Sequence, residues 1–212
     1  MMLNQSNTTM KKFIKILAII VLIILVAVAG FYVYLSSFLP NIEAPDDLVV
    51  EVTPERVAHG EYLANSVMGC MGCHAQRDFN LYGGPIIEST LGVGGEKCDK
   101  SVGFPGLIYA PNITPTHLGD WSDGELYRAI AAGVNKEGDA LFPIMPYHRY
   151  AKLPKEDIYS VIAYLKTLDP KPGEYQKKEL DFPLSIIVNT IPAEPTHELK
   201  PSNDPVKHGE YL

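Results

Sequence analysis

A run of 20 uncharged residues, Ile16 to Leu35, places the strongest constraint on how this chain can fold. With a rise of about 1.5 Å per residue, a helix of this length crosses the roughly 30 Å hydrocarbon core of a bilayer. Lys11, Lys12 and Lys15 precede the run, and the next basic residue is Arg56. Because basic residues tend to stay on the cytoplasmic side, the pattern predicts a cytoplasmic N-terminus and an exported remainder.

The same run could instead be a cleaved signal peptide, because Ala27-Val28-Ala29 resembles an A-x-A cleavage site. However, the apolar stretch continues to Leu35, beyond the usual length of a signal's apolar region. We therefore favour a single-pass anchor that stays attached. The predicted order is a cytoplasmic tail over residues 1–12, a transmembrane anchor over 13–35 and a linker over 36–53.

The exported part is acidic. The chain holds 18 basic and 25 acidic residues, and the first 35 residues contain three of the basic and none of the acidic ones. The remainder therefore carries 15 basic against 25 acidic residues, a net charge of −10. Such a surface repels nucleic acid and favours a partner with a basic patch, although acidity that serves only solubility is the commoner case.

Three helices are predicted in the exported part. One begins at Thr53-Pro54, with Thr as N-cap and Pro at the first helical position. The second begins at the capping box Ser122 to Glu125 and ends before Gly133. The third follows Pro154, where Ile158, Val161, Ile162 and Leu165 have helical spacing.

Between the first two helices, residues 75–120 contain eight Gly and four Pro and show no periodicity, which suggests a long loop that wraps something. After Leu168 the chain is Pro-rich, and we expect its apolar segment "LSIIV" to be extended.

The sequence "CMGCH", Cys70 to His74, contains the residues best suited to bind a cofactor or a metal. Two thiols at this spacing can form thioethers with the vinyl groups of a haem, while the imidazole that follows reaches the iron. A thioredoxin-like C-x-x-C would sit in an α/β pattern, which the chain lacks. A zinc site would need further ligands, which only Cys98 and scattered histidines could supply. The motif therefore favours haem c.

The sequence offers one main candidate and two rivals for the sixth iron ligand. Three of the six methionines precede the membrane segment, and Met68 and Met71 belong to the attachment segment itself. Elimination leaves Met145, which Pro143 and Pro146 bracket and hold in an extended loop. A methionine is usually core filler, and His148 and His117 are rival ligands.

Several motifs together resemble the bacterial membrane-anchored c-type cytochromes, in particular multihaem forms related to the cytochrome subunits of alcohol and gluconate dehydrogenases. They are "HGEYLANSVMGCMGCH", "APNITP", "LGDWSDGELYRAIAAGV", "LFPIMPYHRY" and "KEDIYSVIAYLKTL", in family order over about residues 54–169. The resemblance implies an all-α cytochrome c fold with long Gly/Pro-rich loops around the haem, and it implies that Met145 is the distal ligand.

The resemblance also implies particular contacts. The loop Asn112 to Pro115 should lie against the haem, and the first and last helices of the fold should cross with Gly60 facing Tyr164. Trp121 is expected near the haem edge, or in the core. Cys98 has no counterpart in the family pattern, and we interpret it as a small buried residue.

The last seven residues, "VKHGEYL", repeat "VAHGEYL" at Val57 to Leu63 with one difference. In the family that the chain resembles, the pattern G-x-Y-L within this repeat opens each haem domain, seven residues before the attachment motif. We therefore expect a cytochrome c domain over residues 54–169, a Pro-rich segment over 170–204, and the disordered stump of a truncated second domain over 205–212.

The predicted function is that of an electron carrier rather than an enzyme. One covalent haem c per chain, held by Cys70 and Cys73 with His74 and Met145 on the iron, would exchange single electrons on the outer face of the cytoplasmic membrane. The expected partners are the membrane and redox proteins such as a dehydrogenase or terminal oxidase, but not nucleic acid. The main alternative is the electron-accepting cytochrome subunit of a periplasmic alcohol, aldehyde or sugar-acid dehydrogenase. A peroxidase would need an open iron site.

Overall fold

The computed structural model describes residues 2–173 and 177–211, which divide into two units, Met1–Leu39 and Pro40–Leu212. The first unit is one long helix, α1 (Met2–Ser37). Its part from Met10 to Ser37 is long and apolar enough to be a candidate membrane span. Residues 10–34 are all exposed within this unit, as expected for side chains that face lipid.

Two crossing helices form the frame of the second unit: α2 (Pro54–Tyr62) and α6 (Lys155–Thr167). As predicted, Thr53 caps α2, and its hydroxyl accepts the N–H of Arg56 at 3.3 Å. The predicted contact between Gly60 and Tyr164 is confirmed. A Cβ at Gly60 would lie 2.9 Å from the Cβ of Tyr164 and would overlap the carbonyl oxygen of Ser160. Only a glycine allows the two helices to come this close.

Helix α6 buries the apolar stripe that its spacing predicts. Ile158, Val161, Ile162 and Leu165 are each at most 6% exposed. Full burial of one such side chain typically contributes about 1.5–3 kcal/mol, so this stripe supplies much of the drive to pack α6 on its neighbours.

Helix α4 (Asp123–Ala132) has the predicted boundaries, and α3 (Pro115–Leu118) precedes it as a single turn. The Ser122 hydroxyl accepts the Glu125 N–H at 3.1 Å, and the Glu125 carboxylate accepts the Ser122 N–H at 2.7 Å. Gly133 ends the helix at a φ of +77°, a conformation that glycine adopts without strain. The short helix α5 (Tyr147–Tyr150) then leads into α6.

The all-α expectation needs a correction, because a small antiparallel sheet lies in the loop region. Its strands are β1 (Lys97–Cys98), β2 (Gly106–Tyr109) and β3 (Glu179–Leu180), in the order β1-β2-β3. Cys98 pairs with Ile108, and Gly106 pairs with Leu180. The strands have two to four residues, too few for the alternation that reveals a strand in sequence.

Residues 40–53 of the predicted linker and the Pro-rich segment belong to the same compact unit as the predicted haem domain. In the predicted linker, Val50 is buried, and its N–H donates to the Asp123 carboxylate at 2.7 Å. In the Pro-rich segment, the expectation of an extended "LSIIV" is wrong, because α7 (Leu184–Ile187) and a 3₁₀ turn (Val188–Thr190) follow Pro183. The predicted boundaries 54–169, 170–204 and 205–212 stay predictions.

Residues 206–211 of the C-terminal repeat copy are helical, contrary to the expectation of a disordered end, and Leu212 lies outside the described residues. Residues Pro205–Tyr211 form α8, and Tyr211 is 5% exposed as part of the core. The Tyr211 hydroxyl donates to Asp157 on α6, and the other oxygen of this carboxylate lies 3.0 Å from His59 Nε2. Both copies of the repeat therefore contact the same carboxylate.

Candidate haem-binding site

The attachment motif lies on a tight turn at the end of the first helix of the second unit. Helix α2 continues as a π-helical turn (Leu63–Val67), and Gly69 then reverses the chain at a φ of +66°. Cys70–Gly72 form a 3₁₀ turn, closed by the Cys73 and His74 amides on the carbonyl of Cys70. The turn leaves Cys70 partly buried, Cys73 exposed and His74 buried.

The imidazole of His74 is held in one tautomer. Its Nδ1 lies 2.8 Å from the carbonyl oxygen of Pro111, which can only accept, so Nδ1 carries the proton and donates. Burial lowers the pKa of His74, while the bond to Pro111 acts weakly in the opposite direction. The ring is therefore neutral at pH 7, and its Nε2 lone pair is available to a metal.

The loop around Pro111 is fixed by a buried polar network. Asn112 Oδ1 accepts the N–H and hydroxyl of Thr114 at 2.8 and 2.7 Å, and Asn112 Nδ2 donates to the carbonyl of Lys171 at 2.9 Å. Asn112 and Thr114 are at most 1% exposed. The network holds the turn that presents the Pro111 carbonyl to His74.

A glycine, Gly94, packs against both the His74 backbone and the Pro111 loop. The Gly94 N–H donates to the carbonyl of His74 at 3.1 Å, and Gly94 has a φ of +78°. A Cβ there would overlap the backbone of Ala110 and Pro111. The segment "GVGG" thus packs between the His74 backbone and the loop that fixes its ring. This role was not predicted from the sequence, although a glycine cluster in an aperiodic stretch is a signal of close backbone packing.

All three cysteines are free thiols. Burial raises the pKa of Cys70 to about 12, and burial also raises the pKa of Cys73, with a further contribution from Glu96 and Cys98. Both motif thiols are therefore protonated at neutral pH. Among residues 2–173 and 177–211, no three His, Cys, Asp or Glu side chains meet as a metal cluster, so the rival zinc interpretation gains no support.

The candidate distal residue, Met145, packs against the same apolar core as Cys70 and is partly buried. Of its rivals, His148 is exposed at the first turn of α5, and His117 lies partly buried with its ring 6.2 Å from that of Trp121. Trp121 also packs against the core. Met145 and Cys70 thus both pack against the apolar core, while the iron ligation of Met145 stays a prediction.

Two tyrosines of the "MPYHRY" segment hold this region together, in roles that were not predicted from the sequence. The Tyr150 hydroxyl donates to the carbonyl of Met68 at 2.6 Å and so ties α5 to the attachment segment. Tyr147 is 2% exposed, and its ring fills the space that a side chain at Gly133 would need.

This set of side chains fits haem c. Two free thiols at C-x-x-C spacing can bond to the two vinyl groups, and a buried neutral imidazole whose Nδ1 is already hydrogen-bonded can offer Nε2 to iron.

No family model matches the chain. Among individual proteins, it is 33% identical over 134 residues to the gluconate 2-dehydrogenase cytochrome c subunit of Pantoea cypripedii. It is 32% identical over 170 residues to the fructose dehydrogenase cytochrome subunit of Gluconobacter japonicus.

The chain is related to these cytochrome c subunits. The two matches cover 61% and 74% of this chain but only 27% and 32% of the relatives. A diheme cytochrome c-type protein of Cereibacter sphaeroides is 28% identical over 120 residues, 55% of this chain and 38% of that protein. The chain therefore spans about a third of the cytochromes it matches. We refer to residues 40–211 as the cytochrome unit.

Proposed function

We propose that the cytochrome unit carries single electrons through one covalently bound haem c. The observation that carries this proposal is the buried His74, fixed by Pro111 with Nε2 free to bind and placed directly after two free thiols. In this proposal Cys70 and Cys73 would form the thioethers, and His74 and Met145 would be the protein ligands of the iron.

Each residue has a separate task in electron transfer. When bound, haem c supplies exchange between ferric and ferrous iron, and Met/His ligation raises its potential. Burial keeps His74 neutral, and the Pro111 carbonyl keeps its ring oriented by accepting the Nδ1 proton. Met145 would supply the second protein ligand of the iron and so would leave no open site for a substrate. The two thioethers keep the group in place through repeated redox cycles.

The location in the cell is part of the proposal, and α1 supports it. With Lys11, Lys12 and Lys15 on the cytoplasmic side, α1 crosses the membrane once, and the cytochrome unit lies on its outer, periplasmic side. A protease added to intact spheroplasts should then digest the cytochrome unit and leave a small membrane-bound peptide. Protection of the unit in intact spheroplasts would contradict this orientation.

The ligand assignment is tested by Met145→Ala, with its exposed neighbour Ile144→Ala as the matched control. Haem should stay attached in both variants, as shown by haem staining after denaturing electrophoresis. The ferric sulfur-to-iron band in the red should disappear only in Met145→Ala, which should also bind CO readily when reduced. Survival of that band in Met145→Ala would refute this ligand.

The names of the relatives favour a more specific role, as the cytochrome subunit that accepts electrons within a dehydrogenase complex. A membrane preparation that reduces this haem on addition of an alcohol, aldehyde or sugar acid, with a dehydrogenase polypeptide that copurifies, would support that role. Reduction only by an upstream soluble donor would favour a free carrier.

The number of haems is a separate part of the proposal. The sequence contains one C-x-x-C-H motif, so we expect one haem per 212-residue chain. The ratio of haem iron to polypeptide, from the alkaline pyridine spectrum and amino-acid analysis, measures this number. A ratio near two would contradict it.

A further inference from the structure

Residues 196–199 cross the segment that follows Met145, and we call them the strap. The amides of Thr196 and His197 both donate to the carbonyl of Ala151 at 2.9 Å, and the amide of Leu199 donates to the carbonyl of Lys152 at 2.8 Å. The strap lies outside residues 54–169, to which the family motifs are confined. It nevertheless binds the backbone directly after "MPYHRY".

His197 fastens the strap with both of its ring nitrogens. Nδ1 lies 2.6 Å from the carbonyl oxygen of Leu153 and must donate to it, and in the neutral ring Nε2 accepts a hydrogen bond from the Tyr127 hydroxyl at 2.5 Å. Tyr127 is a buried residue of α4. His197 has a φ of +52°, which is uncommon for a residue other than glycine and persists only where its surroundings hold it.

A continuous path of backbone hydrogen bonds leads from the strap to Met145. The carbonyl of Ala151 accepts from the strap, while the amide of Ala151 donates to the carbonyl of Tyr147 at 2.7 Å. The amide of Tyr147 in turn donates to the carbonyl of Met145 at 2.8 Å. The Tyr147 ring on this path is buried and packs against Gly133.

We propose that the strap holds the Met145 loop closed over the haem site, with His197 as the positioning residue that fastens it. This inference rests on the proposed ligation of iron by Met145. Without the His197 ring, residues 151–153 lose a side-chain partner, and the loop should release its sulfur more often. Any added ligand that competes with Met145 would then bind more tightly, because the open form makes up a larger fraction of the molecules.

The test is an imidazole titration of the ferric holoprotein, followed by loss of the sulfur-to-iron band. His197→Gly removes the ring but tolerates the positive φ, and Tyr127→Phe removes only the partner of Nε2. We expect the apparent imidazole affinity to rise about tenfold in His197→Gly and by a smaller factor in Tyr127→Phe.

The matched control is Glu198→Ala, which lies in the same strap. The Glu198 carboxylate pairs with Lys152 at 2.8 Å on the surface, where both side chains are about half exposed. Its loss should leave the imidazole affinity within about twofold of the unsubstituted protein, because exposed ion pairs contribute little. If His197→Gly lowers the melting temperature but leaves the imidazole affinity unchanged, the strap is only structural and the proposal is wrong.

Two further results separate this inference from the ligand assignment. If the unsubstituted protein lacks the sulfur-to-iron band and Met145→Ala binds imidazole with the same affinity, the ligation by Met145 fails and the strap's role fails with it. If His197→Gly does not fold, hydrogen exchange of the unsubstituted holoprotein decides. Peptides covering residues 145–153 and 196–199 should exchange at one common rate, and independent opening of the loop would overturn the proposal.

Discussion

At the scale of single residues, one glycine and one asparagine determine which segments of the chain can pack together. Gly60 has no side chain, and this absence lets α2 and α6 cross at the distance of backbone contact. Asn112 supports the Pro111 carbonyl that fixes the tautomer of His74. The first effect could be predicted from the family motifs, but the second could not. The hydrogen bond from the buried Asn112 to a carbonyl 59 positions later cannot be predicted from the local sequence.

The repeat offers a matched pair for testing the helix crossing. Gly60→Ala adds a Cβ that overlaps Ser160, whereas a Cβ at Gly209, its counterpart in the second copy, would have no described atom within 4 Å. Gly60→Ala should lower the free energy of unfolding by about 1–3 kcal/mol, as overpacking usually does. Gly209→Ala should be neutral or slightly stabilising, because alanine favours helix. Guanidinium unfolding followed by circular dichroism measures both, and equal effects would contradict the crossing geometry.

At the scale of elements, the long helices could be predicted from the sequence and the short elements could not. The capping box of α4 and the apolar stripe of α6 predicted their boundaries and buried faces, because these signals are local. The three strands and α7 have only two to four residues each, and long-range packing determines their conformation. Disorder was the expectation for α8 because seven residues cannot form a stable helix in water. Burial of Tyr211 against α6 supplies the missing stabilisation.

The order of α8 should depend on the Tyr211 hydroxyl. Tyr211→Phe removes its bond to Asp157, and residues 205–211 should then exchange their amide hydrogens faster by about three- to tenfold, as expected for one lost hydrogen bond. Tyr62→Phe is the matched control, because Tyr62 holds the same position in the first copy and is 48% exposed. Equal exchange in the two variants would show that the hydroxyl contributes nothing.

The same contact has a defined pH dependence. Burial, and then the bond to Asp157, raise the pKa of Tyr211 above its ordinary value near 10. Because the folded state keeps the proton more firmly than the unfolded state, the stabilisation is complete below pH 10 and declines as the pH rises further. Hydrogen exchange of residues 205–211 in Tyr211→Phe should lack this alkaline step.

At the scale of the whole molecule, net charge affects which other molecules the protein attracts. The net charge of −10 on the residues after α1 could be counted from sequence, and the chain's relatives belong to dehydrogenases. The sequence could not indicate that residues on both sides of the family-like region, such as Val50 and His197, pack onto one unit. Those contacts join segments more than 40 positions apart.

Electron transfer to a protein partner should slow as salt rises. An acidic surface accelerates encounter with a basic docking face, and added ions screen this attraction over a distance of about 10 Å at 0.1 M. Stopped-flow reduction at increasing ionic strength measures the rate, with reduction by an uncharged small molecule as the control. A rate with the protein partner that is independent of salt would indicate that the acidity serves only solubility.

The Asp157 carboxylate is hydrogen-bonded to His59 of the first repeat copy and to Tyr211 of the second. Loss of α8 would leave a mostly buried carboxylate short of one partner, and loss of α2 would leave it short of the other. Leaving a buried charge incompletely paired is costly, so each helix increases the cost of releasing the other. The folding of α2 and the folding of α8 are therefore thermodynamically coupled. Removal of α8 by cleavage near the C-terminus should lower the cooperativity with which α2 unfolds.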